Sequence, residues 1–361
     1  MYTKDDIAIL YLDSLGLTHK VFSQALKLLD NPSDIFGKNI KTSKLAELLP
    51  KGALERISTL GEQKIEEFVL ADLDKYNIYA ITCISSLYPK QLLNIADYPF
   101  VLYTKGDIGV LKQPSIGVVG TRMPTNYGRE VCEKFTKELC ACGLVIVSGL
   151  SYGVDTCAAS TALSSGGKTI AVLAGGLDNI YPAQNIGLSR KIADNGLLVS
   201  EYRPGVRPRT YSFIARNRII SGLSLGVLVV EAGIKSGAAS TAMFAVEQGR
   251  ELFVIPGNIT STQSAGCNKL IGEMPDCFTT SSKQILDKLN IAPAEQQASP
   301  VAQLDITCSS IVKVMGSSEV HFDDILQKVD LSAAQLTSNL SMLEIMGVVK
   351  KLPGNYYKVI N

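Results

Sequence analysis

Tryptophan is absent from the 361 residues, and there are two histidines, His19 and His321. With both histidines outside the middle of the chain, a His-based metal site or a catalytic triad is not expected. An excess of one charge is also missing. The 35 Lys and Arg against 34 Asp and Glu leave a net charge of +1, so any basic footprint for a polyanion must be local. No apolar run approaches a membrane span, and Met1 to Asp6 is charged with no signal-peptide core. No membrane partner is expected, and the cytoplasm is the expected location. The eight cysteines include Cys140-Ala141-Cys142, which has the wrong spacing for the usual zinc or redox pairs. They are expected to be reduced and structural, with no metal and no cofactor.

What is present is a globular composition, 46% hydrophobic and 19% charged, over a length that suits two or three domains. Residues 1–105 read helical, as short apolar stretches joined by polar turns such as Asn31-Pro32-Ser33-Asp34. Leu15-Gly16-Leu17 leaves two readings open, a structural bundle or a helix-hairpin-helix turn that grips a DNA backbone. Tyr88-Pro89 through Tyr103 reads as an ordered connector that packs on the next domain. Over 106–290, apolar strands at Ile116–Gly120, Leu144–Ser148, Thr169–Ala174, Leu197–Ser200, Gly226–Glu231 and Leu252–Ile255 alternate with helices near 127–141, 153–165, 186–195, 212–221 and 238–249. This pattern predicts a Rossmann-type, doubly wound parallel sheet of the α/β class. Residues 291–303 read as a polar linker. Residues 304–361, with helices near 309–315, 322–328 and 332–346 and a hairpin around Pro353-Gly354-Asn355, read as a winged-helix module. The 332–346 helix has no Arg or Lys, which favours protein contact over groove reading.

The polar residues collect at the carboxyl ends of the strands, where ligands bind open α/β sheets. Ser115 to Val119 runs into Gly120, Thr121 and Arg122. Gly120 admits backbone donors close to an anion, Thr121 adds a hydroxyl, and Arg122 adds a planar fork. Ser148-Gly149 and Ser236-Gly237 end other strands or open helices, where glycine and the helix dipole favour anions, although N-capping explains any one of them. Between 201 and 218 stand five arginines against one acid, Glu201. A mononucleotide needs one or two cations; a run of backbone phosphates needs several along a groove. Tyr202, Tyr211 and Phe213 lie among them, as stacking platforms or as core.

Other motifs fail. Ser165-Gly166-Gly167-Lys168-Thr169 resembles the end of a phosphate loop, but Ala162 stands where Gly is required and the segment precedes a strand. No G-x-G-x-x-G follows the first strand, which argues against a dinucleotide oxidoreductase.

Val119-Gly120-Thr121-Arg122, Ser148-Gly149 with Gly153 and Asp155, Ala171 to Gly176 with Asp178 and Tyr181-Pro182, Ser200-Glu201-Tyr202, Phe213 with Arg216-Asn217-Arg218-Ile219-Ile220-Ser221-Gly222, Ser236-Gly237 with Thr241-Ala242, and Val254 to Gly257 together resemble the DNA-processing protein A (DprA/Smf) family. The resemblance is dense over 88–290; the flanking modules fit in arrangement. It implies a non-enzymatic protein that binds single-stranded DNA, forms a homodimer, protects incoming strands and helps load a RecA-type recombinase in natural transformation. It also implies DNA-binding roles for Gly120, Thr121, Arg122, Ser148, Gly149, Arg216, Asn217, Arg218, Ser236 and Gly237. Its N-terminal counterpart is a helical module of the SAM or helix-hairpin-helix kind. Ile214 departs from the proline many relatives place there, and Ala183 from a basic residue after Tyr-Pro. The alternative is a nucleotide-processing hydrolase of the lysine-decarboxylase-like group, with Glu231 as its acid, although that group's Pro-Gly-Gly-x-Gly-Thr signature is absent. A transcription regulator using the winged helix is the third reading, weakened by the mostly acidic and neutral character of 317–346.

Overall fold

The chain opens with helices whose starts are written into the sequence. Thr3 and Asp6 form a reciprocal capping box for α1 (Lys4–Ser14), and Thr18 caps α2 (His19–Lys27). After α3 (Leu45–Leu48) comes α4 (Ala53–Tyr76), bent at Gly61. A computed structural model of the chain describes residues 2–37, 44–50, 52–292, 306–316, 318–345 and 347–360. It divides into two units, Met1–Ala292 and Pro293–Asn361.

The helical reading of the first 105 residues needs correction at two places. Tyr79–Thr82 (β1) and Val101–Gly106 (β2) are antiparallel strands, and β2 pairs with Leu197–Ser200 (β6) of the main sheet. The connector therefore does more than pack: it runs into β2, which joins the sheet and carries β1 at its edge. Each is short, and its extended form is held by cross-strand hydrogen bonds that no local pattern announces.

The six runs read as parallel strands form β3 (Ser115–Val119), β4 (Val145–Ser148), β5 (Thr169–Leu173), β6, β7 (Gly226–Val229) and β8 (Glu251–Val254). Between them lie α5 (Asn126–Ala141), α6 (Val154–Ser164), α7 (Ile186–Asn195), α8 (Thr210–Leu223) and α9 (Gly237–Glu247), with α10 (Ala265–Glu273) and α11 (Ser282–Lys288) after β8. The sheet order is β1-β2-β6-β5-β4-β3-β7-β8, and β3 to β8 are mutually parallel where they pair. Successive strand residues alternate between two buried faces. Val145, Val147, Val227 and Val229 pack with Ile219 and Ile220 of α8. Ile116, Val118, Ile146 and Leu228 pack with Phe135 and Leu139 of α5. The N-terminal helices form a third core with the sheet, burying Ile9, Leu10 and Leu12 with Leu173 and Leu198. Burial on both faces is why these strands read as continuous apolar runs.

The second unit holds α12 (Ile306–Met315), α13 (Phe322–Leu326) and α14 (Ala333–Ile345) with the expected hairpin, β10 (Val349–Leu352) and β11 (Tyr356–Val359). A short β9 (Val320–His321) pairs with β11. Ile311, Leu336, Leu340, Leu343 and Tyr357 form its core. The 291–303 linker lies outside the described residues from 293 onward. Among the described residues, no helix is long and apolar enough to cross a membrane.

Candidate functional site

The strand order reverses at β3, which has β4 on one side and β7 on the other. A crevice opens at the carboxyl ends of strands there. Gly120 ends β3 because nothing larger fits: a Cβ would lie 2.6 Å from Val154 Cγ2 and 2.9 Å from the Glu231 carbonyl. Gly153, at φ 77, lets α6 begin against the same turn, where a Cβ would meet Thr121 O at 2.3 Å. The Thr121 N–H donates to Glu231 O at 2.7 Å, and the Val154 N–H donates to Thr121 O at 3.1 Å. The turn is thus fastened to β7 and α6, and it carries Arg122 into solvent on a rigid base.

Arg122 is exposed and lies over the Phe213 ring, 5.7 Å from its centroid. Phe213 meets Tyr181 edge-on at 5.5 Å. A cation over an aromatic pair offers both a phosphate fork and a stacking surface. Below them Arg216 is 3% exposed. It donates to Gly149 O at 2.6 Å and to Val172 O, and its Nε–H reaches Asn217 Oδ1 at 3.1 Å. Burial pushes its pKa down to about 10, with the Asp155 charge opposing that shift and Arg122 adding to it. Burial in turn pushes Asp155 up, against Arg216 and the Ser151 N–H. Asn217 donates to Ser240 Oγ at 2.9 Å and to Gly237 O, locking α8 to the start of α9, whose N-cap is Ser236.

The crevice encloses about 840 Å³; Gly120, Thr121, Arg122, Arg216, Asn217, Lys235, Ser236 and Gly237 are among its lining residues. It does not stop there. Arg122 and Met123 also line a second depression, beside Arg129, Tyr152 and Cys157. Tyr181, Thr210 and Phe213 are shared with a third, which holds Arg207 and Arg209. The three share walls, so they form a groove longer than one nucleotide needs.

Seven of the ten expected residues therefore meet in the crevice. Ser148 is buried behind it and donates to Val118 O at 2.8 Å. Gly149 backs the Arg216 guanidinium, where a Cβ would lie 2.4 Å from that group. Arg218 faces away, pairing with Glu201 at 2.6 Å and Asp97 at 2.9 Å. Lys235, Arg129, Tyr181, Asp155 and Gln263 joined the site without having been singled out as site residues. Tyr181 and Asp155 stood inside the motifs of the resemblance; Arg129 and Gln263 carried no local signal.

Glu231 weighs against the hydrolase reading. It is 1% exposed, and its two oxygens accept the Thr125 N–H at 2.8 Å and the Thr125 hydroxyl at 2.7 Å. A carboxylate engaged in this way, holding Thr125, the N-cap of α5, is poorly placed to exchange protons with a substrate. Lys168 precedes β5 and lies 3.9 Å from Asp107, on the amino side of the strands and away from the crevice. Among the described residues no group of His, Cys, Asp and Glu could hold a metal ion.

The chain is 44% identical over 217 residues to the DNA processing protein DprA of Bacillus subtilis, spanning 58% of this chain and 73% of that one. The X-ray structure of DNA processing protein A from Streptococcus pneumoniae superposes with a TM-score of 0.62 at 35% identity, covering 80% of this chain and 98% of that one. A Helicobacter pylori DNA processing protein A, described for its single-stranded DNA binding mode, superposes with a TM-score of 0.54 at 34% identity over 59% of this chain and 95% of that one. The DprA winged helix domain matches residues 292–355. With the sequence model of DNA recombination-mediator protein A matching residues 79–290, the chain belongs to that family, the DprA/Smf proteins.

Proposed function

We propose that this protein binds single-stranded DNA along the groove, without sequence preference and without consuming it. The observation that carries this reading is the run of three adjoining depressions. They hold Arg122, Arg129, Arg207, Arg209, Arg216 and Lys235 against Asp155 and Glu133, with Tyr181 and Phe213 at the junction. A strand laid there meets cations at intervals and an aromatic surface on which any base can stack. Gly120, Thr121 and Arg122 form the central phosphate site. Arg216, Asn217, Ser236 and Gly237 form its floor and far wall, while Ser148, Gly149 and Arg218 act by holding that floor in place.

Family membership extends the proposal. The protein works as a homodimer in the cytoplasm, shields incoming strands and passes them to a RecA-type recombinase in natural transformation. Residues 106–290 carry the strand site, the 1–105 module supports it, and the 304–361 module contacts protein.

The test is fluorescence anisotropy with an oligothymidylate and with a duplex of equal length. Binding to the single strand should be tighter, with a log–log salt slope of roughly −2 to −4 for about three to six phosphates engaged. Equal affinity for the duplex, or a flat salt response, overturns the reading. ATP mixed with protein and DNA should stay intact. Phosphate release that vanishes in a Lys168→Ala variant would reopen the enzyme question.

A further inference from the structure

Two cysteines meet behind one wall of the groove. Cys132 on α5 is fully buried, while Cys157 on α6 is half-buried and lines the depression that holds Arg122, Arg129 and Tyr152. Each sulfur reaches the other's helix. Cys132 Sγ lies 3.7 Å from Val154 O on α6, and Cys157 Sγ lies 4.0 Å from Arg129 O on α5.

The chemistry of the pair is unequal. The neighbouring Cys132 thiol, the Thr161 hydroxyl and the Arg129 charge hold the Cys157 pKa below the usual thiol range, against its burial and Glu133. The sulfur also sits in the first turn of α6, where the helix dipole favours a thiolate. The contact with Cys157, and then burial, push Cys132 the other way. Burial also pushes Cys83 and Cys140 up to about 11 and Cys267 up to about 12. An accessible thiol biased toward its anion, with a second thiol in contact, is the arrangement of an oxidation-sensitive cysteine and its resolving partner.

We propose that Cys157 is a site of oxidation by hydroperoxides, with Cys132 as its resolving thiol, and that the resulting disulfide weakens strand binding in the groove. The Cys157 thiolate attacks one peroxide oxygen, the O–O bond breaks, and hydroxide leaves and takes up a proton, giving a sulfenic acid. Cys132 then attacks the Cys157 sulfur, losing its proton, and the hydroxyl leaves as water. Two thiols and one peroxide give one disulfide and two waters. Closing the bond pulls on α6 at its first turn, which is seated on Thr121 through the Val154 N–H, so the strain falls on the Gly120–Arg122 turn. The effect on binding rests on the strand reading proposed above; the thiol chemistry does not.

The full-length protein is treated with hydrogen peroxide and read by intact mass and peptide mapping. The expected result is a loss of about two mass units, with Cys132 joined to Cys157. In Cys132→Ser, Cys157 should instead hold a sulfenic acid that dimedone traps. Oxidised wild type should bind oligothymidylate about five-fold more weakly, and dithiothreitol should restore it. If both thiols still react with iodoacetamide after peroxide, the proposal is overturned. If the disulfide forms and affinity is unchanged, its control over the groove is overturned. If the reduced protein binds no strand, it is the groove reading that fails, and the mass measurement still decides the thiol chemistry.

Discussion

The two sides of α8 carry the same residue type for opposite purposes. Arg216 and Arg218 are two positions apart, about 200° around the helix. Arg216 lines the groove floor, balanced by Asp155. Arg218 points into the seam where the connector meets the sheet, held by Glu201 and Asp97 and 7% exposed. Burial works against the Arg218 charge, but its two carboxylates outweigh that and its pKa rises. A basic cluster in a sequence thus divides between a cation that can meet a ligand and a cation that closes the fold. Helix periodicity alone separates them into two sides; only packing says which side is which.

The largest effect should come from the structural side. Arg218→Ala leaves the buried Glu201 carboxylate without its partner, and should cost about 3–5 kcal/mol of unfolding free energy in urea titration. Strand affinity, measured where the variant remains folded, should change far less. An affinity loss without a stability loss would exchange the roles assigned to the two sides.

On the groove side the order reverses. Arg122→Ala should cost about 1.5–3 kcal/mol of binding, the range for a hydrogen bond to a charged group, or about ten- to a hundred-fold in Kd. The melting temperature should hold, because Arg122 is exposed. Arg122→Lys should recover part of the affinity, since it keeps the charge but loses the fork. An affinity loss explained by unfolding would break the comparison. Phe213→Ala should cost about 1–3 kcal/mol if a base stacks there; with stacking on Phe213 absent, abasic and normal oligonucleotides should lose affinity equally.

The smallest expected effect sharpens the structural side through pH. Burial pushes the Asp13 carboxyl up to about 6, against the Tyr103 hydroxyl that donates to it at 2.6 Å and the Arg203 charge, with Glu201 adding to the rise. The folded state therefore holds a proton that the unfolded chain has released. The resulting penalty is absent below about pH 4, grows toward about pH 6, and persists at neutral pH. Asp13→Asn should be more stable than wild type at pH 7, with the two converging near pH 4. Parallel stability curves across that range would rule this out.

Much of the fold was legible because its logic is local. Strands β3 to β8 are buried on both faces, so each appears as an unbroken apolar run, and glycine and capping residues mark where helices begin. The central turn was legible for the same reason: Gly120 must be small, and Thr121 and Arg122 follow it directly. Three decisions lay outside the sequence's reach. Strands β1 and β2 exist through pairing with residues up to about a hundred positions away, as Tyr103 with Ser200. The direction of Arg218 depends on Asp97 and Glu201, which its helix does not contain. Glu231 became the anchor of Thr125, the N-cap of α5, because β7 ends beside that residue, 106 positions earlier in the chain. Sequence by itself determined where backbone geometry and burial allow one residue type. The tertiary structure decided the rest, because a charged side chain takes its role from the partner that folding brings within hydrogen-bond reach.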